Sequence, residues 1–235
     1  MTAPGGDQTR GESTAFFEER QTAVLSRNEI AALCLKAARG AGMAWGLAEE
    51  AGFAAAWLAG QGLDGPGHLL THLNAASGRT WADLCPVVTP GEWRAPPGGA
   101  ICPIALGATL CDHTALPAGP VIGGPLRIGP VDHPILLLPF LATVAARQAV
   151  DVVLSWEDGA MKIHAKGIGT TEALHGRTAL PLRLQTTDLT DPGPGASARP
   201  EIANDTVLAL SALALRTTVP TSATSRAGAG AGKDD

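Results

Sequence analysis

The chain has no tyrosine, and its aromatic residues amount to only 4% of 235 positions. Its core must therefore be mainly aliphatic. Charged residues are also scarce, at 17%, and the formal net charge is −5. A nucleic-acid binder needs a basic face, so no nucleic-acid partner is expected. The four cysteines, Cys34, Cys85, Cys102 and Cys111, show neither C-x-x-C spacing nor the density of a disulfide framework. The longest apolar run, Ile135 to Ala146, is too short and too proline-broken to span a bilayer, and no secretory segment opens the chain. No membrane partner is expected, and the expected compartment is the cytoplasm. Gly123-Gly124 offers backbone N–H groups to an anion but lacks a P-loop lysine or a G-x-G-x-x-G setting. No cofactor is implied.

What is present is a well-packed composition, 45% hydrophobic, with 29 glycines and 18 prolines marking many turns. Ser26 to Leu63 reads as two helices joined by a tight glycine turn. Ser26 and Glu29 form a capping box, and Ile30, Leu33, Cys34 and Ala37 make an apolar face. Gly40 and Gly42 end this helix. A second helix from about Ala44 to Ala59 carries a Leu47, Ala51, Ala54 and Leu58 stripe beside Phe53 and Trp57. Its only charges are Glu49 and Glu50, so most of its surface is expected to be buried.

Arg39, Glu49 and Glu50 are thus isolated charges on an apolar hairpin. They form either an ion pair across the turn or a ligand-binding polar site of Arg39, Trp45 and Glu49. His68 and His72 stand at i and i+4 on a short helix, a spacing that suits a metal. No third ligand is near in sequence, so no metal is expected. Cys111-Asp112-His113 has the residue types of a reactive thiol, but on an extended segment Asp112 opposes the other two. A loop with one buried thiol is the expectation.

Farther along, Trp93 is expected to anchor an irregular loop, and Ile101 to Leu110 fits a strand or a buried helix. Leu126 to Ile128, between Gly and Pro breakers, reads as a strand near an edge. Phe140 to Gln148 has helical character. Val152 to Ala165 is a β-hairpin turning at Glu157-Asp158-Gly159, and Leu180 to Thr186 is another half-exposed strand. Asp188 to Pro200 is a loop or linker, and Glu201 to Arg216 is an apolar helix expected to pack centrally. The fold class that follows is α+β. A single domain from about 24 to 219 would have the helical hairpin and the C-terminal apolar helix covering one face of a mainly antiparallel sheet. Residues 1–22 read as a disordered leader and 220–235 as a glycine-rich tail.

The strings ARGAG, WGLAEEAG and WLA with QGL resemble the opening of a bacterial family catalogued only as a domain of unknown function. The ending VPTSATSRAGAGAGKDD is similar to the end of the same family. The resemblance implies no reaction, substrate or cofactor. It favours a joint site in which Arg226, Gly228 and Gly230 of the tail lie near the Gly40–Trp45 turn, glycine permitting close backbone approach. Two function classes stand open: a small-molecule-binding domain or enzyme, and a non-catalytic partner subunit docking through its small-residue surfaces.

Overall fold

The computed structural model describes residues 21–116, 119, 124–168, 174–190 and 201–217. The first helix, α1 (Arg27–Gly40), starts as its capping box dictates: Glu29 N donates to Ser26 Oγ at 3.2 Å, and Ser26 N donates to Glu29 Oε2 at 2.8 Å. After a turn in which Gly42 takes φ +93°, α2 (Trp45–Gly60) runs back along α1. Contact is close because of Gly52, where a Cβ would stand 2.6 Å from Ala31 O. α3 (Gly65–Ala75) is capped by Asp64, which accepts from Gly67 N at 2.9 Å.

Ile101 to Leu110 resolves as helix: α4 (Pro103–Asp112) begins with proline in its first turn, where no intrahelical N–H is needed. α5 (Leu138–Gln148) and α6 (Asn204–Leu215) complete the helices. The strands are β1 (Thr22–Val24), β2 (Val87–Thr89), β3 (Glu92–Arg94), β4 (Leu126–Val131), β5 (Val150–Trp156), β6 (Gly159–His164), β7 (Gly167–Ile168), β8 (Leu180–Asp188) and β9 (Glu201–Ala203). Seven of them form one sheet in the order β2-β3-β4-β8-β5-β6-β7, antiparallel except for β3 against β4. The fold is thus α+β on a mainly antiparallel sheet. The hairpin at Glu157-Asp158 pairs Val152 with Ile163 and Leu154 with Met161, as the alternation requires.

Three expectations are corrected. β4 lies inside the sheet between β3 and β8, so its glycine and proline mark an irregular register between Ile128 and Val131. Trp93 is fully buried, but on a strand. The helical hairpin and α6 do not lie directly on the sheet. α5 packs on β5, β6 and β7; α2 packs on α4 and α5; α1 covers α2; and α6 covers α1. α6 is therefore peripheral, with only Leu210 and Leu213 buried while Leu208 and Leu215 are about two-thirds exposed at 67% and 66%.

β1 and β9 form a separate two-stranded ribbon, Ala23 opposite Ile202, which ties the segment before α1 to the segment before α6. Residues 1–20 and 218–235 lie outside the described residues, and so do the leader and tail expectations. At Gly40 a Cβ would overlap the Leu213 carbonyl of α6. Gly40→Ala should therefore cost about 1–3 kcal/mol by forcing α1 and α6 apart. Urea denaturation checks this; an unchanged midpoint would mean that the α1–α6 contact does not need glycine.

Candidate functional site

Three separate chain segments converge beneath the helical hairpin. His72 comes from the last turn of α3, Cys102 is the residue before α4, and Asp132-His133 follows β4 directly. Backbone pairing holds the last two together: Ile101 N donates to Pro130 O at 2.7 Å, and Asp132 N donates to Ile101 O at 2.9 Å. Cys102 N in turn donates to Leu84 O at 2.8 Å.

The side chains meet in a line. His72 Nε2 is 3.2 Å from Cys102 Sγ, and His72 Nδ1 is 3.0 Å from Asp132 Oδ2. The other carboxylate oxygen, Oδ1, is 2.9 Å from His133 Nδ1. That approach lacks hydrogen-bond alignment, so His133 Nδ1 is a buried nitrogen with no hydrogen-bond partner among the described residues. His133 also holds a left-handed backbone, φ 42°, which is uncommon outside glycine and costs energy. Its ring stands edge to face with that of His72, centroids 5.7 Å apart. The Trp81 ring abuts His72 edge to face at 5.9 Å, and its Nε1 donates to Ala41 O at 3.0 Å. The turn of the helical hairpin thus fixes the wall of the site.

His72 and Cys102 are each only 1% exposed. Burial alone drives the His72 pKa down, but the charge interaction with Cys102 and the hydrogen bonds that His72 makes to Asp132 and Cys102 outweigh it, raising the value to about 9. For Asp132, burial pushes upward, yet the close polar contacts and charge of His133 and His72 hold it well below the ordinary carboxylate range. Such opposed shifts are those of a buried carboxylate–imidazolium pair, each partner favouring the charged form of the other. All four cysteines are free. Burial lifts Cys34 to about 12 and Cys111 to about 11, and it raises Cys85 as well. Cys102 differs in lying against an imidazole, that of His72.

The histidine pair of α3 divides. The expectation that His72 lacks further ligand-type neighbours is corrected, because the fold brings Asp132, His133 and Cys102 to it from 30 to 61 residues away. His68 instead faces His175, ring centroids 5.3 Å apart, and burial with the neighbouring His175 lowers its pKa. The Cys111-Asp112-His113 string lies at the end of α4 and is no loop. There His113 Nδ1 contacts Thr109 O at 2.9 Å, its ring packs on Trp93, and Cys111 Sγ donates to Phe140 O.

Arg39, Trp45 and Glu49 do come together. The Arg39 guanidinium lies 5.7 Å from the Trp45 ring, and Trp45 Nε1 donates to Glu49 Oε1 at 2.8 Å. They stand beside an apolar groove of about 720 Å³ lined by Leu33, Lys36, Ala214 and Leu215 among others. Glu50 lines a recess together with Glu49, Asp112 and Arg147, and burial raises its pKa. Arg226, Gly228 and Gly230 lie outside the described residues.

Residues 25–102 match the model of a family described as Protein of unknown function (DUF3726). This is a domain of unknown function, as the resemblance at the hairpin implies. The matched stretch includes His72 and ends on Cys102. Comparison with curated proteins gave no match, and comparison with solved structures gave none.

Proposed function

Because the family carries no stated activity, the chemistry must be read from the cluster, and we propose that the chain is a thiol-dependent enzyme acting on acyl compounds. Cys102 is the nucleophile, His72 its proton acceptor and Asp132 the group that orients His72. The observation that carries this reading is the continuous contact Cys102 Sγ–His72 Nε2–Nδ1–Asp132 Oδ2, at 3.2 and 3.0 Å. It has the logic of a nucleophile, a base and an orienting carboxylate. At rest His72 already holds the thiol proton as an imidazolium; the sulfur bonds to the acyl carbon, and the leaving group departs with the proton that His72 gives up. Water, deprotonated by His72, then hydrolyses the thioester. The N-terminus of α4 behind Cys102 favours the negative charge that develops. Four free thiols suit a reducing, cytoplasmic setting.

Both reacting side chains are buried, so substrate enters only when a covering element shifts. The short helix Trp81–Leu84 is in that position, since Leu84 O holds Cys102 N and the Trp81 ring abuts His72. The Arg39–Trp45–Glu49 groove lies apart from Cys102 and His72. We assign it to binding, and Trp45→Ala should leave thiol chemistry unchanged.

A second reading rests on one observation. His72, Asp132 and His133 offer ligand atoms within 4.8 Å of one another, and His133 Nδ1 makes no hydrogen bond. Three such donors suit zinc. In that case His72 Nδ1 binds the metal and Nε2 keeps its proton, so it cannot accept one from Cys102. The two readings differ in whether His72 Nδ1 carries a proton or a metal.

Incubation with an activated aryl ester, in the presence of a chelator, separates them. Mass spectrometry should find one acyl group on Cys102, absent in Cys102→Ser and reduced at least about a hundredfold in rate by His72→Gln. An adduct spread evenly over Cys85 and Cys111 would contradict the proposal. So would acylation that needs added zinc.

A further inference from the structure

A separate feature lies on the open side of the sheet, away from the helices. Register places Glu92 opposite Arg127, Arg127 opposite Arg183, and Arg183 opposite Ser155, so these four side chains form one row across β3, β4, β8 and β5. Their neighbours Trp93, Ile128, Leu182 and Leu154 are buried on the other face, so the row is solvent-facing. Arg127 and Arg183 are like charges directly opposite on adjacent strands, an arrangement that is unfavourable when nothing neutralises it.

The local carboxylates compensate this poorly. Glu92 approaches Arg94 Nε at 3.6 Å and Arg127 Nε at 3.9 Å, all three side chains being largely exposed. Arg183 has no ion pair with any described carboxylate within 4.0 Å. Arg94, Arg127 and Arg183 line one groove of about 690 Å³ on the surface together with Ser155, Glu92 and Glu157, three cations against two carboxylates. In a chain whose net charge is −5, three guanidinium groups gathered on one concave surface are not explained by composition. Guanidinium forks match carboxylate and phosphate oxygens two at a time. Neighbouring strands put Arg127 and Arg183 ~4.8 Å apart at the backbone, a spacing one multiply charged ligand can bridge.

We propose that this groove is a binding site for a small ligand carrying at least two phosphate or carboxylate groups, held by Arg127 and Arg183 with Arg94 at the side. Ser155 Oγ, which donates to Arg183 O at 3.3 Å, sits at the far end of the row and gives the site a polar limit. The site is independent of the thiol chemistry, being built on different residues.

Calorimetric titration of the full chain with pyrophosphate and, separately, with citrate tests the proposal at low ionic strength. At least one probe should bind saturably at one per chain. Arg127→Gln and Arg183→Gln should each weaken that binding about tenfold or more, as loss of a charge-assisted pair does. Arg183→Lys, which keeps the charge and loses the fork, should also weaken it, while Lys166→Gln, at an exposed position outside this groove, should not. Tighter pyrophosphate binding would identify phosphoryl ligands, and tighter citrate binding carboxylates. Failure of both probes to saturate would overturn the proposal. Equal weakening by Lys166→Gln would overturn it too, by reducing the effect to general charge attraction. Melting curves confirm that the variants fold; if either arginine variant does not, Arg94→Gln provides the same comparison.

Discussion

Asp132→Ala should destabilise the fold by about 3 kcal/mol, near the low end of what breaking a buried charged pair costs. The reason is local. Asp132 is the carboxylate beside two buried imidazoles, His72 and His133, and its own side chain is 19% exposed. Removing it leaves a His72 whose proton is favoured by its neighbours without the acceptor at Nδ1. The partial exposure of Asp132 screens the pair and keeps the expected loss from the top of that range. Urea denaturation at pH 7 measures it. A double-mutant cycle with His72→Ala isolates the pair, because each single change also removes packing. A cost under about 1 kcal/mol, the size of an ordinary surface pair, would mean that the cluster is solvated and not the buried site described here.

The second large effect is a stability optimum bounded on both sides by this cluster. The folded His72 value of about 9 lies above its ordinary 6.5. A raised value contributes stability that is complete below 6.5 and is lost as pH climbs through about 9. For Asp132 the sign is opposite: its folded value lies below the ordinary 3.8, so its contribution is present above 3.8 and lost as pH falls further. Stability should be highest between about pH 4 and 6.5 as far as this cluster governs it. The decline toward pH 9 should approach about 3 kcal/mol in the wild type, from the linkage of pKa to free energy. Thermal denaturation across pH 4 to 10 checks this, and His72→Gln should flatten the alkaline limb. An alkaline limb that survives His72→Gln unchanged would assign the decline to other groups.

What could be read from the chain beforehand divides by sequence distance. The Ser26–Glu29 box, the glycine turn after α1 and the β5–β6 hairpin are written in residues three to thirteen apart, and the structure has them where local chemistry puts them. Ile101 to Leu110 stayed open between strand and helix because a short apolar run carries no period. The proline at position 103, a favoured helix start, was the signal that decides it. α6 was misjudged for a physical reason. An all-round apolar helix is normally central, but here one face rests on α1 while Leu208 and Leu215 remain exposed. The Arg39–Trp45–Glu49 group was legible because all three stand within one helix turn or across one tight turn.

The thiol–imidazole–carboxylate line was not legible. His72 carried only an i,i+4 partner, His68, which the fold turns toward His175 instead. Its true neighbours, Cys102 and Asp132, lie 30 and 60 residues onward. They meet it only because the Ile101–Val131 backbone bridge aligns two segments under α3. The adjacent Cys111-Asp112-His113 string has the same residue types but closes α4, where Cys111 Sγ donates to Phe140 O. Cysteine before a helix-starting proline at Cys102-Pro103, and the Asp132-His133-Pro134 string after a strand, were the available hints. Neither names a partner.

The protonation state of His72 is the point on which the account turns. Nitrogen-15 NMR of the imidazole side chains, titrated from pH 5 to 10 and assigned with His72→Gln, reads it directly. The account predicts that His72 is an imidazolium at pH 7 with a midpoint near 9, and that Cys102→Ala lowers that midpoint by removing the first of the interactions that raise it. A neutral His72 at pH 7, titrating at or below 6.5 and indifferent to Cys102→Ala, would contradict it.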